Sequence, residues 1–196
     1  PTSIRNISEK LYSYEFKKFM PPTIFTSRIL DVINFVKKNQ LTIIKPIHGH
    51  SGNNIKLLKG KINKNFLIKY LLKHGYIMCQ KFLPGIVNGD KRVFIINGKV
   101  KGSISRVPKK GSFLSNLSKG GTAMVSKLSK KERKISNLLA KKLKKEGIYF
   151  AGIDFISGKL NGDINVTSPT GLKNYFDLTG INLAKTFWKE IKKWKI

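Results

Sequence analysis

Acidic residues are scarce in this chain: 10 Asp and Glu stand against 39 Lys and Arg among 196 residues, a formal net charge of +29. Cysteine is scarcer still. Cys79 is the single one, so no disulfide framework and no cysteine-based zinc site can form, and a reducing, cytoplasmic setting is expected. It lies in the apolar run Tyr76-Ile77-Met78-Cys79 with no positioned base beside it, which reads as a buried, inert thiol. No apolar run reaches the ~18 residues of a membrane-crossing helix, so no membrane partner is expected. The first residues, Pro1-Thr2-Ser3-Ile4-Arg5, lack an apolar signal core and an initiating Met, so a fragment or a processed form is expected. Apolar residues at 40% and charged residues at 25% are the values of a globular chain, which excludes disorder as the default. The length suffices for one domain or two small lobes with a core.

The positive charge needs a decision. A surplus this large is the electrostatic footprint of nucleic-acid or anionic-membrane binding. Yet the lysines are spread through every segment, together with abundant Asn and Ile, which is what an AT-rich coding sequence produces. A nucleic-acid partner therefore rests on charge alone and is not the expected one. A polyanionic small ligand would gain from the same field.

Hydrophobic periodicity predicts a helix from a Ser3 cap to Phe19, stopped by Pro21-Pro22. A short strand at 23–26, a Ser27-capped helix at 28–38 and an apolar strand at 41–47 follow. A turn-rich stretch, His48-Gly49-His50-Ser51-Gly52-Asn53-Asn54, leads to a strand at 55–58, a helix at 65–74 and a strand at 76–83. Asn97-Gly98 predicts a tight hairpin between strands at 92–96 and 100–107. Residues 109–127 are Gly/Ser-rich and aperiodic and read as a mobile loop. Ser129-Lys130-Lys131-Glu132 is a capping box opening a helix to about Lys145. A hairpin over 149–166 and an amphipathic helix over 179–194 close the chain. Early alternation of strands and helices with later antiparallel hairpins predicts an α+β chain in two lobes, 1–83 and 84–196, joined near Pro84-Gly85.

Against so few acids, the spacing of three residues in the late hairpin stands out. Asp154 ends the motif Gly152-Ile153-Asp154, and Asp163 and Asn165 lie one alternation apart on the returning strand, hence on one face. Two carboxylates and an amide oxygen suit a hard cation such as Mg²⁺, which takes few protein oxygens and completes its shell with phosphates. The plain alternative is a hairpin with solvated acids at its rim. A second constellation is Lys45 at a strand end before Gly49 and Gly52: glycines let backbone N–H groups approach phosphate, and the ammonium can sit on it. Alone, that stretch equally makes a turn. His48 and His50 lack a third ligand and read as loop histidines. Gln80-Lys81-Phe82-Leu83 could present a strand edge and apolar walls to a purine. Asp90-Lys91-Arg92 and Arg106 place guanidinium groups where they could grip phosphate or carboxylate.

In this order the motifs resemble the bacterial glutathione synthetase family of the ATP-grasp superfamily. The resemblance runs from Pro1-Thr2-Ser3-Ile4-Arg5 and Glu9-Lys10-Leu11-Tyr12 through Ile44-Lys45-Pro46, Gln80-Lys81-Phe82-Leu83-Pro84, Gly89-Asp90-Lys91-Arg92-Val93, Arg106-Val107-Pro108, Asn116-Leu117 and Gly120-Gly121 to Gly152-Ile153-Asp154. Its most specific stretch is Ile164-Asn165-Val166-Thr167-Ser168-Pro169-Thr170. It covers nearly the whole chain and only the family's central and C-terminal domains. It implies an ATP-grasp fold with ATP between the lobes and a ligase joining γ-glutamylcysteine to glycine through an acylphosphate, yielding ADP and phosphate.

By resemblance Lys10 and Lys45 hold the phosphates, the loop at Gly49 and Gly52 covers them, and Gln80, Lys81, Phe82, Leu83 and Asp90 belong to the nucleotide site. Arg92 and Arg106 are the catalytic residues. Asp154, Asp163 and Asn165 hold Mg²⁺, for which Mn²⁺ can substitute, and residues 109–127 form the lid. A homo-oligomer or a separate N-terminal substrate domain is left open as a partner. The chain departs from the family in having Asp163 for Glu, a longer hairpin turning at Asn161-Gly162, His48, His50 and Ser51 in the glycine loop, and Leu114 and Thr122 for two lid arginines. These departures define the alternative, a degenerate ATP-grasp fragment that binds nucleotide without ligating.

Overall fold

The computed structural model describes residues 2–49, 52–60 and 62–192. A short helix α1 (Thr2–Asn6) is followed by a 3-10 stretch (Tyr12–Phe19) in place of the single expected helix. The break has a local cause. The Glu9 carbonyl accepts from Ile164 N at 3.1 Å, so the backbone is diverted to a distant strand instead of continuing its own ladder.

Strand β1 (Thr23–Thr26), helix α2 (Ile29–Asn39), strands β2 (Leu41–Pro46) and β3 (Lys56–Lys59), helix α3 (Lys64–His74) and strand β4 (Ile77–Lys81) follow. The strands form an antiparallel sheet in the order β1-β4-β2-β3. The expected Ser27 cap of α2 does not form: the N-cap is Arg28, without a side-chain cap, and Thr26 Oγ1 accepts from Arg28 N at 2.9 Å in the turn before the helix. Asn63 caps α3 by accepting from Phe66 N at 3.0 Å. Both helices cover one face of the sheet. Val32, Phe35, Val36, Leu67 and Tyr70 bury against Ile44, Leu58, Ile77 and Cys79. Burial, helped by the Asp31 charge, pushes the Cys79 thiol up to about 12, so it stays protonated and inert.

The chain changes sheets through a 3-10 turn (Pro84–Asn88). Then come β5 (Asp90–Ile96), β6 (Lys99–Val107), β7 (Thr122–Val125), α4 (Lys130–Lys145), β8 (Phe150–Ile156), β9 (Lys159–Asn165), α5 (Leu172–Thr179) and α6 (Leu183–Ile191). The second sheet is antiparallel in the order β7-β6-β5-β8-β9. Its one face takes Ile135, Leu139 and Leu143 of α4, together with Ile7, Phe16 and Met20 of the N-terminal segment. Residues 2–20, which the expected division at 83/84 places with the first lobe, thus contribute side chains to the second core. Tyr175 and Leu183 of α5 and α6 bury Phe94, Ile96 and Ile104 on the opposite face.

Three expectations are corrected. Residues 122–125 inside the Gly/Ser-rich stretch form β7 on the edge of the sheet, a short, half-exposed strand with no clear alternation to announce it. The helix expected over 179–194 starts later, as α6 at Leu183, and a separate unexpected helix α5 ends before it at Gly180 with φ +70°; residues beyond 192 lie outside the described residues. The last hairpin turns at Ser157-Gly158, with φ +49° and +71°, the double left-handed geometry of a two-residue turn. Asn161-Gly162, the dipeptide that predicted the turn, lies within β9 instead, where the pairing register with β8 shifts opposite Asp154. The Asn97-Gly98 hairpin and the capping box at Ser129 and Glu132 are as expected. No helix among the described residues is long and apolar enough to cross a membrane.

Candidate functional site

Strand alternation sorts each sheet into an apolar face and a cleft face. On β2 and β4, Ile44, Ile77 and Cys79 point to the helices, while Ile43, Lys45 and Gln80 line a cavity of about 660 Å³ between the sheets. On the second sheet, the face that buries Phe94, Ile96 and Ile104 at one end carries Asp90, Arg92, Arg106 and Asp154 at the other, all at most 4% exposed. Lys10, Lys45, Gly49, Gly52, Gln80, Lys81, Phe82, Leu83, Asp90, Arg92, Arg106, Asp154, Asp163 and Asn165 all line this one cavity. Every site residue named from the sequence is therefore brought together. His50 and Ser51 lie outside the described residues.

At the floor of the cleft, two carboxylates and two guanidinium groups form a closed network. Arg92 donates through Nε to Asp154 Oδ1 and through Nη2 to Oδ2, the latter at 2.8 Å. Arg106 donates through Nη2 to Asp154 Oδ2 at 2.9 Å and grips both oxygens of Asp90. Gly152 makes this possible. A Cβ there would lie 2.9 Å from Arg92 Cδ, so the glycine two residues before Asp154 leaves the path for the arginine. Ser115, buried in the loop after β6, lines the same cleft.

A second cluster joins the two sheets. Lys45 Nζ lies 3.1 Å from Asp163 Oδ2 and donates to Asn161 O at 3.2 Å. Lys10 Nζ donates to Gly49 O at 2.6 Å and lies 3.7 Å from Asp163 Oδ1. Gly162 (φ +82°) lets β9 cross this closely, since a Cβ would come within 3.0 Å of Met20, Met78 and Gln80 side chains. The register shift in β9 that sequence reading took for a turn is what brings Asp163 to the lysines.

Burial alone would raise the pKa of Asp154, but the charges of Arg106 and Arg92 outweigh it and hold it at about 2. Burial would likewise raise Asp163, and Lys45 and Lys10 hold it below the ordinary carboxylate value. At Asp90 burial prevails over Arg106 and the pKa is raised, with Asp154 adding repulsion. The signs fix a pH dependence. The depressed pair stabilises the fold fully above the unfolded value of about 4, and that contribution is lost as pH falls through the folded pKa values. Asp90 has the opposite sign, favouring the fold below its unfolded value and fading as pH rises through its folded one. Urea unfolding free energy should therefore fall from pH 5 to pH 2, and Asp163→Asn should flatten the fall. An identical pH slope in the variant would refute the Asp163 linkage.

The remaining residues set walls. Backbone N–H groups of Lys81 and Phe82 donate to Pro22 O and Leu41 O, both at 2.9 Å, so the expected free strand edge is already paired at those two positions. The Phe82 ring meets Phe113 edge-on with centroids 6.3 Å apart, and a Cβ on Gly52 (φ +72°) would lie 2.9 Å from Asn116 Oδ1. The loop after β6 therefore lies over the cleft and reaches both the β4 end and the glycine loop. Glu9, quoted in the resemblance but given no role there, also lines the cleft. Its signal was only its place beside Lys10 in a chain with few acids.

The donor set suits a divalent ion. Asp154, Asp163 and Asn165 offer hard oxygens from β8 and β9. The Asn165 Nδ2 donates to Gly152 O at 3.3 Å, which leaves its Oδ1 available to a cation. Among the described residues no three His, Cys, Asp or Glu side chains are grouped so that they could hold a metal ion, so the set needs the amide as third member.

Two antiparallel sheets with lysines and a hairpin carboxylate pair facing each other across a cleft define an ATP-grasp fold. Solved structures share it: the ATP-grasp ligase PsnB complexed with minimal precursor, Mg and ADP (TM-score 0.70, 15% identity, 98% of this chain and 61% of that one) and D-alanine–D-alanine ligase from Bacillus anthracis (TM-score 0.68, 17% identity, 97% and 68%). At those identities the likeness shows the fold alone. Residues 9–180 match the prokaryotic glutathione synthetase ATP-grasp domain, and the chain belongs to that family. It is 42% identical over 187 residues to the glutathione synthetase of Prochlorococcus marinus subsp. pastoris, covering 94% of this chain and 61% of the relative. It is 38% identical over 197 residues to that of Rhodopseudomonas palustris, covering 98% and 62%. The chain thus spans about three fifths of the length of the curated relatives it matches.

Proposed function

We propose that this chain carries the nucleotide and metal half of a glutathione synthetase, an ATP-dependent ligase joining γ-glutamylcysteine to glycine in the cytoplasm. The observation that carries the reading is the convergence of three lysines, two arginines, three aspartates and the glycine loop on one cleft between the sheets. The first lobe, to about residue 83, would supply the phosphate-binding lysines and the purine walls. The second would supply the acids and arginines.

Lys10 and Lys45 would exchange Asp163 for phosphate oxygens, and the glycine loop, pinned by Lys10, would cover them. Gln80 offers a side-chain amide and Phe82 and Leu83 apolar walls to the purine. The C-terminal carboxylate of γ-glutamylcysteine attacks the γ-phosphorus, and the β–γ bridging oxygen leaves with ADP. The glycine amine then attacks the acyl carbon, phosphate departs with the C–O electron pair, and the amine proton goes to solvent. Arg92 and Arg106 stabilise the charge developing on the transferred phosphoryl group and on the acyl intermediate. Asp154, Asp163 and Asn165 would hold Mg²⁺ or Mn²⁺, which supplies charge neutralisation at the phosphates when bound. The loop over residues 109–121 excludes water from an acylphosphate that hydrolyses readily.

A second reading, nucleotide binding without ligation, is favoured by the loop itself. Phe113, Leu114, Ser115, Asn116, Leu117 and Ser118 line the cleft without a positive charge to grip a substrate carboxylate. Two measurements decide. Thermal stabilisation by Mg·ATP, and none by an oligonucleotide, is expected; the reverse would establish a nucleic-acid protein instead. ADP release that requires both γ-glutamylcysteine and glycine establishes the ligase, while Mg·ATP binding with no turnover establishes the second reading.

A further inference from the structure

Glu9 lines the cleft and has no task in the proposed reaction. Its Oε1 accepts three hydrogen bonds, from Val166 N at 2.8 Å, Thr167 N at 3.1 Å and Thr167 Oγ1 at 2.9 Å. Its backbone carbonyl accepts from Ile164 N at 3.1 Å. These contacts bracket Asn165 on both sides. One falls on β9 and three on the two residues just past its end; among the described residues β9 is the edge strand of its sheet and pairs with β8 alone. An edge strand end held from one side frays readily. Glu9 supplies the missing side, with a charged acceptor whose hydrogen bonds are stronger than neutral ones. The next residue, Lys10, reaches Gly49 O and Asp163. The dipeptide therefore fixes both the end of β9 and the glycine loop.

We propose that Glu9 is the positioning residue of the metal site, holding the end of β9 so that Asn165 Oδ1 stays aimed beside Asp154 and Asp163. Glu9 acts through Asn165 and is not itself a ligand. The inference rests on the proposed nucleotide reading.

Isothermal titration with Mg·ATP, and with ATP in EDTA, tests it on the full chain. Glu9→Ala should weaken Mg·ATP by about 10-fold to 100-fold, the usual loss for groups that orient a metal ligand, and leave metal-free ATP nearly unchanged. Glu9→Gln should fall between the parent chain and Glu9→Ala, because the amide oxygen can take the same three donors but only as a neutral acceptor. An unchanged Mg·ATP affinity in Glu9→Ala overturns the proposal, as does an equal loss with and without metal, or a Glu9→Gln as poor as Glu9→Ala. Should Glu9→Ala not fold, Glu9→Asp, one methylene shorter with the same charge, is read by the same criteria: selective loss of Mg·ATP supports the proposal and parent-like affinity overturns it. A parent chain that binds no Mg·ATP defeats the nucleotide reading itself, which is a different result from a parent that binds and a Glu9 variant that binds equally well.

Discussion

Asp154→Ala should lower the unfolding free energy by about 3–5 kcal/mol, the usual cost of removing one partner from a buried ion pair. Asp154 is only 4% exposed, and among the described residues Arg92 has no other carboxylate: its remaining hydrogen bond is to Thr170 O at 3.3 Å. Arg106 keeps Asp90, so the loss centres on Arg92. The mechanism predicts a partial rescue. Replacing Arg92 by Met in the same chain removes the stranded charge and should recover part of the stability. Urea denaturation of the single and double variants measures both. A loss below about 1 kcal/mol, or a double variant worse than the sum of the singles, would show that the network is not what holds the cleft floor. The same geometry means that Asp154 variants change folding and metal binding together, so an affinity measured on them needs the stability measured beside it.

Lys45→Met should weaken Mg·ATP binding by about 10-fold to 100-fold, the value of one or two charge-assisted hydrogen bonds lost from a partly desolvated site. The stem of Lys45 is buried and Met replaces most of it, so the effect falls on the ammonium. That group now sits on Asp163 and the Asn161 carbonyl, both on β9. Losing it also leaves Asp163 with Lys10 alone, at 3.7 Å. The loss should appear for ADP and ATP with metal present and be measured by titration calorimetry. Parent-like affinity in Lys45→Met would remove the lysine from the phosphate site and leave it a structural tie between the sheets.

The sequence made the site legible where chemistry and spacing coincide. Asp163 and Asn165 share a face by alternation, and Lys45 ends an apolar strand before a glycine loop. It misled where one dipeptide serves two geometries. Asn161-Gly162 reads as a hairpin turn, and Ser157-Gly158 took that role because both of its residues adopt positive φ. Helix α5, eight residues between Gly171 and Gly180, is too short for its apolar pattern to be legible in the sequence. The short strand β7 had no alternation long enough to be seen.

The sequence by itself determined most strands of the two sheets, the helices α2, α3 and α4 that flank them and most of the residues that face the cleft, because periodicity and glycine placement are local properties of the chain. Tertiary structure alone decided who pairs with whom. Asp154 is held by arginines from two neighbouring strands, and Asp163 by lysines more than a hundred residues away in sequence. Glu9, silent in the sequence, holds the end of β9. Ion pairs and edge contacts of this kind depend on the register and bulge of β9 and on how closely the sheets approach. No local pattern encodes those distances.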